Sequence, residues 1–155
     1  MSFNDLLNRF TDAVEQGDGQ ALAALFTDDG IYQDTFYGAF HGRDGIADML
    51  ENHFWRDAKA FRWDMREPVF QGEIGYAHWL FSYESRLPSA MGKRVAFEGM
   101  SCFHLRGDLI QHYGEVFDQG IAMAQTGFPA ERMAKRLSRE AEAVRKRAAG
   151  TRHLA

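Results

Sequence analysis

Three side chains carry the chemistry that this sequence can offer: Tyr32, Asp34 and Glu115. Asp34 closes the run Leu25-Phe26-Thr27-Asp28-Asp29-Gly30-Ile31-Tyr32-Gln33-Asp34. In that run an amphipathic helix ends at a turn, and a short apolar strand carries a carboxylate toward the interior. An ionisable group so placed is unfavourable unless it is paired, solvated or used. Side chains alternate along a strand, so Tyr32 and Asp34 share a face, and the phenol can orient the carboxylate or a water beside it. Apolar surroundings would raise the pKa of Asp34 by desolvation and make it a stronger base near neutral pH. The structural alternative is a carboxylate that accepts backbone hydrogen bonds at the strand end or pairs with Arg43. Glu115 has the parity of Gln111, Tyr113 and Phe117 on a later strand. If that face lines the same pocket, two carboxyls in unequal environments can divide acid and base roles; otherwise Glu115 sits at the pocket mouth, in water or in a salt bridge.

The elements that must position these groups follow from hydrophobic spacing. Leu6, Leu7, Phe10 and Val14 mark one face of a helix over residues 3–16. A second helix, about 18–27, buries Leu22, Leu25 and Phe26, and Asp29-Gly30 is a turn before the strand of Asp34. A third helix opens near Gly42-Arg43-Asp44 with the stripe Ile46, Met49, Leu50, His53 and Phe54, which makes His53 a core histidine. From Phe61 the period changes to two. Strands run through Phe61, Trp63 and Met65, from Tyr76 to about Arg86, from Arg94 to Leu105 and from Leu109 to Asp118, with Arg106-Gly107-Asp108 as a hairpin turn. In the 76–86 strand either His78, Leu80 and Ser82 or Trp79, Phe81 and Tyr83 face inward, because a slip of one residue exchanges the rows. Whichever row faces out leaves an apolar sheet face, for which a homodimer is the natural cover. Helices first and an antiparallel meander last predict an α+β fold with the sheet wrapped on the helices.

Composition bounds the rest. The chain has 155 residues, 45% hydrophobic and 26% charged, with thirteen Phe, five Tyr and three Trp, enough for one domain whose rings fill a core and line a cavity. Residues 1–127 read as that domain and 128–155 as an amphipathic basic helix with Met133, Leu137, Ala141, Val144 and Ala148 on a narrow stripe. Residues 130–155 hold eight basic and three acidic side chains, a net of +5 in a chain of −4 overall; the basic groups read as surrounding the helix, attracted to an acidic body. The single Cys102 permits no intrachain disulfide and reads as a small buried hydrophobe. A start without a signal-peptide pattern suggests a cytoplasmic protein. The absence of any apolar run near the roughly 20 residues that span a bilayer argues against a membrane partner, and the acidic balance against a nucleic-acid partner. His104 and His112 can face each other in a hairpin, but no third ligand stands at a metal-binding spacing, so no metal site is expected.

Gln16-Gly17-Asp18 through Leu25-Phe26-Thr27-Asp28-Asp29, then Tyr32-Gln33-Asp34, the Gly42-Arg43-Asp44 helix start and the strand end Glu115-Val116-Phe117-Asp118 resemble the nuclear transport factor 2-like superfamily. Within it the chain is similar to the SnoaL-like group, to ketosteroid isomerases and to limonene epoxide hydrolases, over about residues 3–127. The resemblance implies a cone-shaped α+β barrel, N-terminal helices on a curved antiparallel sheet around a pocket. It places Asp34 where the isomerases have their general base, but Phe10 where they have a donor Tyr and Ser101 near their protonated Asp. Loss of one such donor commonly costs about 2.7–4 kcal/mol, which disfavours steroid isomerisation. Against the hydrolases, Tyr32 matches a water-positioning Tyr, Asp34 stands for an Asn and Glu115 for an Asp base, while Leu80 and Ser82 replace an Arg and an Asp. The implied function is binding of a small, apolar, cyclic molecule with no cofactor. The catalytic groups would be Asp34, Tyr32 and Glu115, and the wall would be Phe10, Ser82, Phe97, Ser101, Phe103 and Tyr113. Isomerase, hydrolase and lyase chemistry all remain open, as does a non-catalytic ligand-binding or dimerisation module.

Overall fold

A computed structural model describes residues 1–154. Helix α1 (Phe3–Gln16) begins at a capping box, in which the Asp5 N–H donates to Ser2 Oγ at 3.1 Å and the Ser2 N–H to Asp5 Oδ2 at 3.2 Å. It ends at Gly17, whose φ of 69° is the left-handed turn-off that glycine adopts without strain. Its buried face is the expected Leu6, Leu7, Phe10 and Val14. Helix α2 (Gly19–Ala24), capped by Asp18, is shorter than the spacing predicts, because Phe26 and Thr27 already belong to strand β1 (Phe26–Asp34). A four-residue strand β2 (Gly38–His41), which the sequence reading lacks, folds back on β1. Helix α3 (Gly42–Asp48) widens into a π-helical stretch, Met49–Phe54, and a single turn α4 (Trp55–Asp57). That widening leaves His53 half-exposed, 3.5 Å from Asp48 and edge-on to the rings of Tyr37 and Phe40. It is therefore not the core histidine that the stripe suggested.

Strands β3 (Ala58–Gln71), β4 (Ile74–Ser85), β5 (Arg94–Arg106) and β6 (Leu109–Phe117) form the meander. They are followed by α5 (Gln119–Gln125) and α6 (Ala130–Ala148). The six strands make one sheet in the order β2-β1-β6-β5-β4-β3, antiparallel except where β1 meets β6. Two breaks of register bend β3, and each contains a residue in the left-handed region, Ala60 at φ 49° and Glu67 at φ 50°. An extra residue in one strand bends it and increases its twist, so the sheet curls without closing. The α+β cone expected from the resemblance is the observed fold.

The register of β4 is decided by packing. Ala77, Trp79 and Phe81 are buried, so the 77–79–81–83 row faces the interior, and His78, Leu80 and Ser82 lie on the outer face. Trp79 fits because Gly99 stands opposite it; a Cβ at Gly99 would run into the indole ring and the Val116 carbonyl. The core under this sheet is aromatic: Phe10, Phe26, Tyr32, Trp63, Phe103 and Tyr113 pack together, with Tyr32 and Tyr113 only 4.4 Å apart between ring centroids. The outer face carries Tyr76, Met100 and Val116, exposed by 45%, 44% and 70%. Cys102 shares that face and is half-exposed, contrary to its reading as a buried hydrophobe. His104 and His112 do meet across β5 and β6, at 5.9 Å between rings. Among the described residues no helix is long and apolar enough to cross a membrane.

Candidate active site

Strands β1 and β6 run parallel with Tyr32 beside Tyr113. Asp34 and Glu115 each follow two residues later, on the same inward face, so the topology brings the two carboxyls together. Asp34 is 4% exposed. Its Oδ1 accepts the N–H groups of Phe36 at 2.8 Å and Tyr37 at 2.7 Å, an Asx-type turn that reverses the chain from β1 into β2. Glu115 Oε2 accepts the Tyr113 hydroxyl at 2.8 Å, and Oε1 the Thr35 N–H at 3.3 Å.

Behind Glu115 runs a chain of hydrogen bonds with one possible direction. The Trp79 indole N–H, which can only donate, reaches Ser101 Oγ at 2.9 Å. The Ser101 and Tyr113 hydroxyls are 2.8 Å apart. Because Tyr113 donates to Glu115, Ser101 donates to Tyr113, and the chain Trp79, Ser101, Tyr113 delivers its last proton to the carboxyl. Such chains reinforce their members in a low-dielectric interior.

Burial pushes both carboxyls up. Glu115 rises to about 8, through desolvation first and the negative charge of Asp34 second. Asp34 rises to about 6, again through desolvation, and is held below Glu115 chiefly by the N–H groups of Tyr37 and Phe36, with a smaller effect from the Arg136 guanidinium. Two adjacent buried carboxyls cannot both ionise without strong repulsion, so the pair favours holding one proton, and Glu115, raised further, is the partner that favours it. The Tyr32 hydroxyl is fully buried and has no hydrogen-bond partner. Burial, then the charges of Glu115 and Asp34, lift its pKa well above the ordinary phenol value, so it is a donor and never a phenolate near neutrality. The Trp63 indole N–H is also buried without a partner.

These groups surround a cavity of about 70 Å³. One water needs roughly 10–15 Å³ measured in the same way, so the space admits a few waters or a small molecule. Tyr32, Asp34 and Glu115 supply its polar corner, and rings such as Phe61, Trp63, Phe81 and Phe97 the remainder. Of the wall residues expected from sequence, Phe97 is there. Phe10, Phe103, Ser101 and Tyr113 are inward but fully buried behind the wall, the first two as core and the last two in the hydrogen-bond chain. Ser82 lies on the outer face and accepts from Arg94 at 2.9 Å, a consequence of the β4 register. Arg43 is not the partner of Asp34; it binds the Phe26 carbonyl and Asp28. Arg136 of α6 is the cation that acts on Asp34, through charge and not through a direct contact. It donates to the carbonyls of Thr35 at 2.7 Å and Phe36 at 2.9 Å and to Gln119 at 3.0 Å. Sequence reading also missed Tyr37 and Asp57, which close the cavity on the outside with a 2.6 Å hydrogen bond. Only the alternation of β3, which put Trp63 in one row with Phe61, pointed toward Trp63.

The model of the SnoaL-like domain family matches residues 7–113. No curated protein matches the chain. Among solved structures, the chain is similar to a protein with a ketosteroid isomerase-like fold from Catenulispora acidiphila, solved in complex with trimethylamine. That likeness has 18% identity and a TM-score of 0.74 over 84% of this chain and 98% of that one. It is also similar to an LEH-like epoxide hydrolase of M. tuberculosis, with 16% identity and a TM-score of 0.64 over 79% and 86%. A third likeness is to a hexachlorocyclohexane dehydrochlorinase from Novosphingobium barchaimii, with 14% identity and a TM-score of 0.65 over 74% and 83%. At these identities the likeness is one of fold.

Proposed function

The chain belongs to the SnoaL-like domain family, within the nuclear transport factor 2-like superfamily, and on that footing we propose that it is an enzyme of cofactor-independent general acid/base chemistry acting on a small, largely apolar, cyclic molecule. The observation that carries this reading is the meeting of two buried carboxyls, Asp34 and Glu115, in the polar corner of an aromatic cavity. A carboxylate with its pKa near 6 is poised as a base at neutral pH. Beside it the Tyr32 hydroxyl and the Glu115 carboxyl are two neutral donors, the kind of pair that holds an oxyanion in a dry site. Among isomerase, hydrolase and lyase chemistry, a base facing two such donors favours proton abstraction from a carbon next to a carbonyl. Asp34 takes the proton, Tyr32 and Glu115 hold the enolate, and return of the proton to another carbon, or loss of a leaving group, completes the reaction. The donors that the isomerase comparison found missing at Phe10 and Ser101 are thus supplied from other positions. The exposed outer sheet face, with Tyr76, Met100 and Val116, supports a homodimer paired through that face.

The base is tested with a probe that needs no knowledge of the natural substrate. Incubated with 2-cyclohexenone in D2O, the protein exchanges ring protons next to the unsaturated carbonyl for deuterium, and Asp34→Asn slows this by roughly 10²–10⁴-fold. A carboxyl-detected NMR titration places Asp34 above the ordinary carboxylate range. Exchange unaffected by the substitution, or an Asp34 pKa below the ordinary value, would leave a non-catalytic binding module as the better reading.

A further inference from the structure

Outside the cavity, α5, α6 and the Phe36–Tyr37 turn enclose a second, open hollow of about 480 Å³. Phe36, Tyr37 and Asp57 line both spaces, so the two abut at the edge of the Tyr37 ring. Four cations line the hollow, Arg132, Lys135, Arg136 and Arg139. Their spacing of i, i+3, i+4 and i+7 gathers them on one face of α6, where the sequence alone suggested basic groups distributed around the helix. Arg136 is committed to the Thr35 and Phe36 carbonyls, Gln119 and Glu140. Arg132 stacks over Phe128 at 5.0 Å. Among the described residues, Arg132, Lys135 and Arg139 have no carboxylate partner. The one carboxylate in the lining, Asp57, is taken by Nε and Nη2 of Arg56, at 2.8 and 2.9 Å, and by the Tyr37 hydroxyl. Three cations without a carboxylate partner among the described residues thus stand over a concavity that adjoins the apolar cavity across the Tyr37–Asp57 contact, in a chain of net charge −4.

We propose that the ligand of this protein carries an anionic group, a carboxylate or a phosphate, a short chain away from the apolar part that enters the cavity, and that Arg132, Lys135 and Arg139 bind that anion. This rests on the cavity being the ligand site, as argued above. The arrangement divides the work: apolar contact and the acid/base groups act on the head, while charge fixes the tail outside. It also keeps the anion away from Asp34, whose negative charge would otherwise repel it.

A matched series tests the proposal on the full chain: 4-phenylbutanoate, its neutral amide, and 3-phenylpropyl phosphate. Calorimetry gives the affinities at 20 mM and 500 mM NaCl, and the aromatic NMR signals of Phe97 and Trp63 report entry into the cavity. At least one anion binds about tenfold tighter than the amide at low salt, through charge-assisted hydrogen bonds to arginine and lysine. The preference shrinks at high salt as the exposed charges are screened. The triple variant Arg132→Gln, Lys135→Gln, Arg139→Gln, all at exposed positions, abolishes it while amide binding is unchanged. Whether acid or phosphate is preferred distinguishes a free carboxylic acid from a phosphate-bearing carrier. Equal binding of amide and anions overturns the anion site and leaves the cavity reading standing. If no member of the series perturbs Phe97 or Trp63, the cavity reading falls and the anion site falls with it.

Discussion

Replacing Glu115 with Gln removes one charge from the buried pair while preserving its shape. The amide oxygen still accepts the Tyr113 hydroxyl, while the amide N–H2 takes the place of the oxygen that accepted the long 3.3 Å Thr35 N–H contact. In the wild type, Glu115 ionises at about 8 when folded against 4.5 ordinarily. Between those values the folded protein keeps a proton that the unfolded chain has released, so stability falls as pH rises through the window. At about 1.4 kcal/mol per pKa unit, the full penalty above pH 8 is on the order of 3–5 kcal/mol. Asp34 adds a smaller loss of the same sign between 3.8 and about 6, which the variant retains. Urea unfolding followed by tryptophan fluorescence at pH 4.5, 6, 7.5 and 9 reads the difference directly. Glu115→Gln should be more stable than the wild type by about that amount at pH 9, and the advantage should all but vanish toward pH 4.5, where Glu115 is protonated in the folded state and already half protonated in the unfolded chain. An advantage that does not change with pH, or a wild type that gains stability as pH rises through 4.5–8, would refute the account of the pair. Sites that hold unfavourable groups for chemistry commonly trade stability for activity in this way.

Two further outcomes follow from contacts far from the cavity. Arg136→Gln removes the cation that helps hold Asp34 ionised, so the Asp34 pKa should move up, and a carboxyl-detected titration should show the shift; an unmoved pKa would mean that the turn N–H groups alone set it. Met100→Asp combined with Val116→Asp places charges on the exposed sheet face, where like charges across a two-fold interface repel. Analytical ultracentrifugation should then give a monomer where the wild type gives a dimer, and a wild type that sediments as a monomer removes the dimer proposal.

The parts of the fold with local causes were legible in the sequence. The face of α1 follows from Leu6, Leu7, Phe10 and Val14, the turn at Gly107 from its sequence, and the inward pairing of Tyr32 with Asp34 from strand alternation. Glu115 could be assigned a face by parity, but its meeting with Asp34 depends on β1 lying parallel to β6, which no local pattern encodes. The β4 register was undecidable because both rows, 78–80–82 and 79–81–83, contain large side chains. The deciding facts are the space at Gly99 and the Ser101 hydroxyl, each about twenty residues away. Arg136 was illegible for a stronger reason: it is about a hundred residues from the turn it braces, and as one of eight basic groups in the tail it carries no distinguishing local signal.

The residues around the cavity fall on both sides of the end of the stretch that the family model matches. Asp34, Tyr32, and the Trp79–Ser101–Tyr113 chain lie inside the stretch matched by the family model, residues 7–113. Glu115, Gln119 and Arg136, like the cations of the outer hollow, lie beyond it. Much of the cavity lining therefore falls within the matched stretch, but Glu115 and Phe117 do not. Glu115, the guanidinium that braces the turn after β1 and the cations of the outer hollow all come from the chain beyond residue 113. Asp34 keeps the lower pKa of the pair because the Phe36 and Tyr37 N–H groups and Arg136 all favour its charged form. Glu115 faces the charge of Asp34 with hydrogen bonds from Tyr113 and Thr35 that only partly offset its desolvation. The order of the two pKa values is thus set jointly by the turn after β1 and by a helix that the matched family stretch does not include.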